Sequence, residues 1–170
     1  MTWYIVVESP IDPITVLSDG SHITGLYMSG PDGKPELDAK WTDGSDLPIL
    51  VCAREQLEAY FAGELQNFNL PLAGGGTEFQ VKVWAALRDI PYGETISYGT
   101  LASRIGNSNA SRAVGLANGK NPISIVVPCH RVIGTSGKLV GFGGGLNRKS
   151  WLLNHERKHA RSREQVTLDI

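Results

Sequence analysis

The feature that most constrains this chain is a run of three glycines, Gly74-Gly75-Gly76, at which the charge of the sequence changes sign. Adjacent glycines favour neither helix nor strand, so the run reads as a linker between two folding units. Residues 1–76 carry 3 Lys/Arg against 11 Asp/Glu, a net of −8, and residues 77–170 carry 13 against 6, a net of +7. The formal net charge of −1 therefore hides an acidic half joined to a basic half. With 170 residues, 41% of them hydrophobic, the chain has the composition of a globular protein and not of a disordered, collagen-like or coiled-coil one. No apolar run approaches the ~18 residues of a membrane span. The start Met1-Thr2-Trp3-Tyr4-Ile5 has no basic region before its apolar stretch, so a cytoplasmic location without membrane association is expected. Two cysteines, Cys52 and Cys129, build no disulfide framework and between them cannot complete a four-ligand zinc site.

The first 72 residues predict a small α/β domain. Strands are expected over 2–8, 14–18 and 23–29, with turns at Pro10 to Pro13 and at Asp19-Gly20, giving an antiparallel meander. A helix is expected over 48–62, with Leu50, Leu57, Tyr60 and Phe61 toward one face and Gly63 just past its end. Nothing in this part points to chemistry; Cys52, flanked by apolar residues, reads as a structural thiol. Residues 73–76 form the linker, 77–156 a second and mostly helical domain, and 157–170 a basic tail, expected to be a frayed solvated terminus or a source of phosphate contacts.

In the second domain Thr77-Glu78-Phe79-Gln80 is a capping-box start, and Phe79, Val83, Trp84 and Leu87 give the helix an apolar face. Helices over 98–105 and 110–118, separated by Gly106-Asn107-Ser108, predict a helix-turn-helix. That pair lies in an interval, 95–155, that contains no Asp or Glu but holds Arg104, Arg112, Lys120, Arg131, Lys138, Arg148 and Lys149. An acid-free basic block suits a polyanion surface; the alternative is an ordinary solvated face. The second helix of the pair carries Ala110, Ser111, Ala113, Gly115 and Ala117 with one long cation, Arg112. Small side chains fit either close helix packing or a helix laid in a narrow groove with Arg112 projecting from it.

The apolar run Ile123 to Val127 reads as a buried strand that Pro128 stops. Directly after it come Cys129, His130 and Arg131: a thiol with a base and a cation at hand. Sequence adjacency permits a Cys/His pair without requiring one. Pro128-Cys129-His130-Arg131-Val132 in this context resembles the active-site signature of the O6-alkylguanine-DNA alkyltransferases, also called methylated-DNA–protein-cysteine methyltransferases. The resemblance extends to Phe79-Gln80-x-x-Val83-Trp84, Ile90-Pro91-Tyr92-Gly93-Glu94-Thr95, Ser97-Tyr98-Gly99, Ser111-Arg112-Ala113-Val114-Gly115, Asn121-Pro122, Gly143-Gly144-Gly145-Leu146 and Trp151-Leu152-Leu153-x-x-Glu156. It covers about residues 77–156, and more loosely the first domain.

The resemblance implies a ribonuclease-H-like first domain and direct-reversal repair of double-stranded DNA bearing O6-alkylguanine, with O4-methylthymine as a further lesion, by a monomer that needs no cofactor. Cooperative binding along DNA is compatible with it. Cys129 would accept the alkyl group irreversibly, His130 would act as base through a water, and Glu156 would orient the imidazole. Asn121 would hold the turn before the active-site segment. Arg112 would fill the stack vacated by a flipped base, with Ala110, Ser111, Ala113 and Gly115 against the minor groove. Tyr98 would assist rotation of the nucleotide and give a proton to guanine N3. The carbonyls of Cys129 and Val132 would accept from the exocyclic amine, and a backbone N–H near Gly143 would donate to O6. The glycines at 143–145 imply a roomy pocket wall that admits groups larger than methyl. Some relatives hold zinc in the first domain; with Cys52 and His22 as its only ligands of that type, this chain is expected to hold none. Two further readings of the residues remain: a cysteine hydrolase or transferase with turnover, and a helix-turn-helix binder in which Cys129 is core.

Overall fold

The computed structural model describes residues 1–30, 32–134 and 145–168, with side chains to residue 160. The chain divides into two compact units, one of residues 1–74 with 122–126 and one of residues 75–121 with 127–170. The division falls inside the glycine run. The return of residues 122–126 to the first unit departs from the expectation of two contiguous domains.

In the first unit, β1 (Trp3–Val7), β2 (Ile14–Ser18) and β3 (Ile23–Met28) form the meander. The register pairs Trp3 with Ser18 and Val7 with Ile14, which sets Ile5, Val7, Ile14 and Val16 on one buried face. The β2–β3 turn is built by its own polar groups. Asp19 Oδ1 accepts from the N–H groups of Ser21 and His22 at 2.9 and 2.8 Å, and Gly20 takes φ 105°, where a side chain would be strained. A fourth strand, β4 (Thr42–Asp43), was not expected. It lies parallel to β1, so the sheet is mixed with order β3-β2-β1-β4. Two residues carry too little pattern to announce a strand. α1 (Pro48–Phe61) starts on a proline that needs no N–H partner and buries Leu50, Ala53, Leu57 and Tyr60 against β1 and β2. Gly63 follows its cap at φ 79°.

The expected strand at 123–127 is not formed. Only Ile123 bridges, parallel to Leu26, with Leu26 N–H donating to Pro122 O and Ser124 N–H to Leu26 O. The chain then turns: Val126 N–H donates to Ser124 O at 2.8 Å, and Ile125 has φ 71° while only 1% exposed. A β-branched residue in that region is strained and is held there by its burial. The apolar run signals a buried segment; it does not distinguish a strand from a buried turn.

In the second unit, α2 (Glu78–Leu87) has the capping box: Thr77 Oγ1 accepts from Gln80 N–H, and Gln80 Oε1 from Thr77 N–H. Val83, Trp84 and Leu87 are buried, Phe79 only partly. β5 (Ile96–Ser97) pairs parallel with β6 (Val132–Ile133). α3 (Tyr98–Arg104) is capped by Ser97, and α4 (Ser111–Gly119) completes the helix-turn-helix. Trp84 Nε1 donates to Ala117 O at 2.8 Å and ties α2 to α4. α5 (Leu146–Leu168) runs unbroken through position 157, where a tail was expected to begin. No described helix is long and apolar enough to cross a membrane.

Candidate active site

Residues 129–131 form a single 3-10 turn between Pro128 and β6. Cys129 opens it, 4% exposed. Its carbonyl accepts from Asn118 Nδ2 of α4 at 3.3 Å and from the N–H of Val132. Asn121 Nδ2 donates to Val127 O at 2.8 Å, bracing the other side of the turn. The second helix of the helix-turn-helix is thus bonded directly to the backbone of the thiol-bearing segment.

His130 follows, fully buried, with Nε2 2.7 Å from Glu156 Oε2. Arg131 holds the same carboxylate through Nε at 2.8 Å and Nη2 at 3.1 Å, while its Nη1 donates to Ile90 O at 2.6 Å and its guanidinium lies over the Tyr92 ring. Gly93, at φ 80°, turns the chain close to α5; a Cβ there would stand 2.8 Å from that of Ala160. Burial pushes the Glu156 carboxyl up, but His130 and then Arg131 outweigh it and hold it well below the usual carboxylate range. Burial also pulls His130 down, against the attraction of Glu156, and Arg131 and Lys149 act in the same direction as burial. A neutral imidazole beside an ionised carboxylate carries its proton on Nε2, donated to Glu156. That leaves the Nδ1 lone pair as the basic site, and Nδ1 has no hydrogen-bond partner among the described residues. His130, Arg131 and Glu156 are therefore bonded into one buried cluster that follows directly on the buried Cys129.

Tyr98, at the start of α3, is half-buried. Burial raises its phenol, opposed by the Asn118 side chain and reinforced by Cys129. Val132 is buried and its carbonyl accepts from Lys149 Nζ at 2.5 Å. On α4, Arg112 and Ala113 face outward and exposed, Ala110, Ser111 and Gly115 are half-buried, and Ala117 is buried. The small residues thus serve two faces: a Cβ at Gly115 would lie 3.8 Å from the Tyr98 ring, so Gly115 looks inward. Gly143 lies outside the described residues. Among the described residues no group of three or more His, Cys, Asp or Glu is placed to hold a metal ion.

Two participants were missed or misjudged in the sequence. Arg131 reads there as a cation for the thiol; it is instead the clamp on Glu156. Lys149 reads with the rest of the basic block as a surface cation, toward a polyanion or toward solvent, yet it is 0% exposed. The signal was available in the spacing of Lys149, Leu152, Leu153 and Glu156, which is that of one helix face.

Comparison with known proteins shows the family of the chain. The model of the 6-O-methylguanine DNA methyltransferase DNA-binding domain matches residues 78–158, and that of the ribonuclease-like domain of the same proteins matches residues 2–73. The chain belongs to the 6-O-methylguanine DNA methyltransferase family. The methylated-DNA–protein-cysteine methyltransferase of Mycobacterium tuberculosis is 52% identical over 94% of this chain and 95% of its own length. That of Methanosarcina acetivorans is 50% identical over 91% and 97%. The crystal structure of the M. tuberculosis O6-methylguanine methyltransferase superposes with a TM-score of 0.82 at 51% identity, covering 94% of each chain. A crystal structure of the M. tuberculosis protein in complex with DNA gives 0.82 at 50% identity. In this methyltransferase the fold is the family's: a small mixed sheet with a helix, then a helical DNA-binding domain.

Proposed function

We propose that this methyltransferase repairs O6-alkylguanine in duplex DNA by moving the alkyl group once, and irreversibly, to Cys129. The observation that carries the reading is the buried succession Cys129-His130, with the imidazole held by Glu156 through Nε2 and Glu156 held by Arg131. His130 Nδ1 takes the thiol proton through a bridging water. The thiolate attacks the alkyl carbon in line; a C–S bond forms as the C–O6 bond breaks, and the electron pair departs on the guanine. Tyr98 neutralises the leaving base with a proton at N3. The product thioether has no hydrolytic exit, so each molecule reacts once.

A stacked base cannot reach a buried thiol, so the lesion is flipped out of the helix. Alkylation removes the N1–H of guanine and weakens its pairing, which lowers that cost. Exposed Arg112 fills the gap, α4 lies in the minor groove with Ala113 outward, and Ala110 and Ser111 line its approach, while Gly115 faces Tyr98. The Val132 carbonyl reads the exocyclic amine, a backbone N–H near Gly143 serves O6, and Asn121 keeps the turn in place. O4-methylthymine is a second substrate on the same chemistry. The protein acts as a monomer, in the cytoplasm.

Intact mass after incubation with an excess of an O6-methylguanine duplex tests this. A gain of one methylene, stopping at one per chain and mapping to Cys129, is expected. Repaired DNA with unchanged protein mass would replace the reading with a turnover enzyme. Unchanged DNA and unchanged protein would leave a binder.

A further inference from the structure

Arg112 and the inward face of α4 have roles in the repair chemistry; Leu116 has no part in it. Leu116 is 70% exposed, more than any other large apolar residue described except Met1. A solitary exposed leucine is ordinary on a protein surface. This one sits in particular company. α4 turns Val114, Ala117 and Asn118 inward. Its exposed positions are Arg112, Ala113, Leu116, Gly119 and, just past its end, Lys120. Spacings of three and four residues set these on one stripe. Between the two cations, no side chain of the stripe can give or take a hydrogen bond. No Asp or Glu of the interval 95–155 opposes a polyanion there. The ends of the stripe suit phosphates, and its middle suits the apolar sugar walls of a groove.

We propose that Leu116 sets the sequence context in which this protein repairs: seated in the minor groove beside the lesion, it disfavours flanking G·C pairs, because nothing on it accepts from the guanine N2 amine. The proposal rests on the repair reading above, which puts Arg112 in the place of the flipped base. Leu116 stands four residues on from Arg112, about 6 Å along the helix axis, roughly the length of two base-pair steps. It therefore meets pairs next to the lesion and not the lesion itself. In the minor groove A·T and T·A pairs present acceptors alone, and G·C adds one donor, the N2 amine. A leucine over that amine takes its space and strips its water without offering an acceptor. Arg112 and Lys120 carry donors only, so neither relieves it. Over an A·T pair the same leucine finds a floor without the amine, as the apolar wedges of minor-groove proteins do.

The test uses the full chain, its Leu116→Ala variant, and duplexes in which one O6-methylguanine is flanked, one or two steps to each side, by G·C or by inosine·C. Inosine lacks only the N2 amine; 2,6-diaminopurine·T adds that amine to an A·T pair. Transfer to Cys129 is read by protein mass, below and above saturation of binding. Below saturation the parent should act at least about five-fold faster on the inosine flank than on the guanine one, and diaminopurine should slow it as guanine does. Above saturation the gap should close, because Leu116 touches neither the thiol nor the flipped base. Leu116→Ala should cut the gap to about two-fold or less. Its salt dependence should match the parent's, since no charge is lost. Its melting temperature should hold or rise, since the side chain is exposed and alanine is the better helix former. Leu116→Gln, whose amide oxygen accepts from the amine, should close the gap as well. A parent that works equally on guanine and inosine flanks would overturn the proposal, as would a Leu116→Ala protein that keeps the parent's full gap. If the parent takes no methyl group from any duplex, the repair reading fails. Binding of the same duplexes without the lesion then decides: an amine penalty lost in Leu116→Ala preserves the assignment of Leu116, and no penalty removes it.

Discussion

In the first unit, every buried polar side chain among the described residues is a hydroxyl: Thr15, Ser18, Ser29 and Ser124. The second unit buries Asn118, His130, Arg131, Lys149, His155 and Glu156. The hydroxyls of Ser18 and Ser29 are satisfied locally, each donating to a carbonyl at 2.7 Å. The shifted carboxylates of the first unit, Asp19 and Asp43, are exposed and are held low by hydrogen bonds within their own turns. An apolar core under a charged surface is the arrangement that best stabilises a fold. The second unit departs from it and, among the described residues, buries His130, Arg131, Lys149, His155 and Glu156 along with the thiol of Cys129. Buried ionic groups rarely stabilise more than apolar ones of equal volume. Their concentration in one unit therefore points to chemistry there and to a supporting role for the other.

The largest effect expected from breaking that contrast is Cys129→Ser, which removes the acceptor. Transfer should drop to background by protein mass while the melting temperature moves little, because one atom changes in a packed site. Next comes a pair of substitutions, one per unit. Glu156→Ala leaves Arg131 buried without its counter-charge and should cost about 3–5 kcal/mol. Leu57→Ala opens a cavity in the first core and should cost about 2–5 kcal/mol. Chemical denaturation would find the two comparable. Transfer kinetics on the folded fraction would separate them: Glu156→Ala should slow the reaction through His130, and Leu57→Ala should leave the rate per folded molecule unaltered. A Leu57→Ala protein that folds but transfers slowly would show that the first unit shapes the site.

How much of this was legible in the sequence follows the same contrast. The meander, α1, the capping box and the helix-turn-helix were readable because apolar spacing and caps are local signals. Cys129 and His130 stood out as a thiol followed by a base, and Glu156 was named only through a motif resemblance, since nothing local tells a buried carboxylate at 156 from one on the surface. Lys149 and the clamp by Arg131 were not found: polar residues on an inward face contradict the rule that reads burial from hydropathy. The two-residue β4 and the turn at Ile125 escaped for a different reason, because their conformation is fixed by neighbours far away in sequence.

The two units should also differ in their response to pH. His130 is held below its ordinary value in the fold, so below pH ~6.5 the unfolded chain binds a proton that the folded one refuses, and stability falls as pH falls. Glu156, also held low, extends the loss in the same direction once an unfolded glutamate begins to protonate near pH ~4.3. Lys149, at about 8 in the fold, acts between that value and its ordinary one: the unfolded chain holds more protons there, so stability rises with pH across the window. Denaturation followed from pH 4 to 10 should show both slopes, each up to about 1.4 kcal/mol per pH unit per group. Lys149→Met should abolish the alkaline rise alone, and Glu156→Gln should remove only the part of the acid fall near pH ~4.3 while the His130 part below pH ~6.5 persists, since Glu156 opposes the lowering of His130. A profile flat from pH 5 to 7 would mean that His130 is not kept neutral by the fold.

The smallest predicted effect concerns the packing of α4. Gly115 sits inside that helix at an ordinary φ, where glycine costs roughly 0.5–1 kcal/mol relative to alanine. An added Cβ would meet Tyr98 Cδ1 and Cε1 at 3.8 Å, which is normal van der Waals contact. Gly115→Ala should therefore raise the stability of the second unit by about that amount, measurable as a shift in denaturation midpoint with an unchanged slope. The small side chain at this position is then not required for the helix to pack on Tyr98. A Gly115→Ala protein that is destabilised would show the reverse: that the distance between α4 and the Tyr98 ring tolerates no added atom, and that Gly115 was kept for packing within the unit and not for what approaches it from outside.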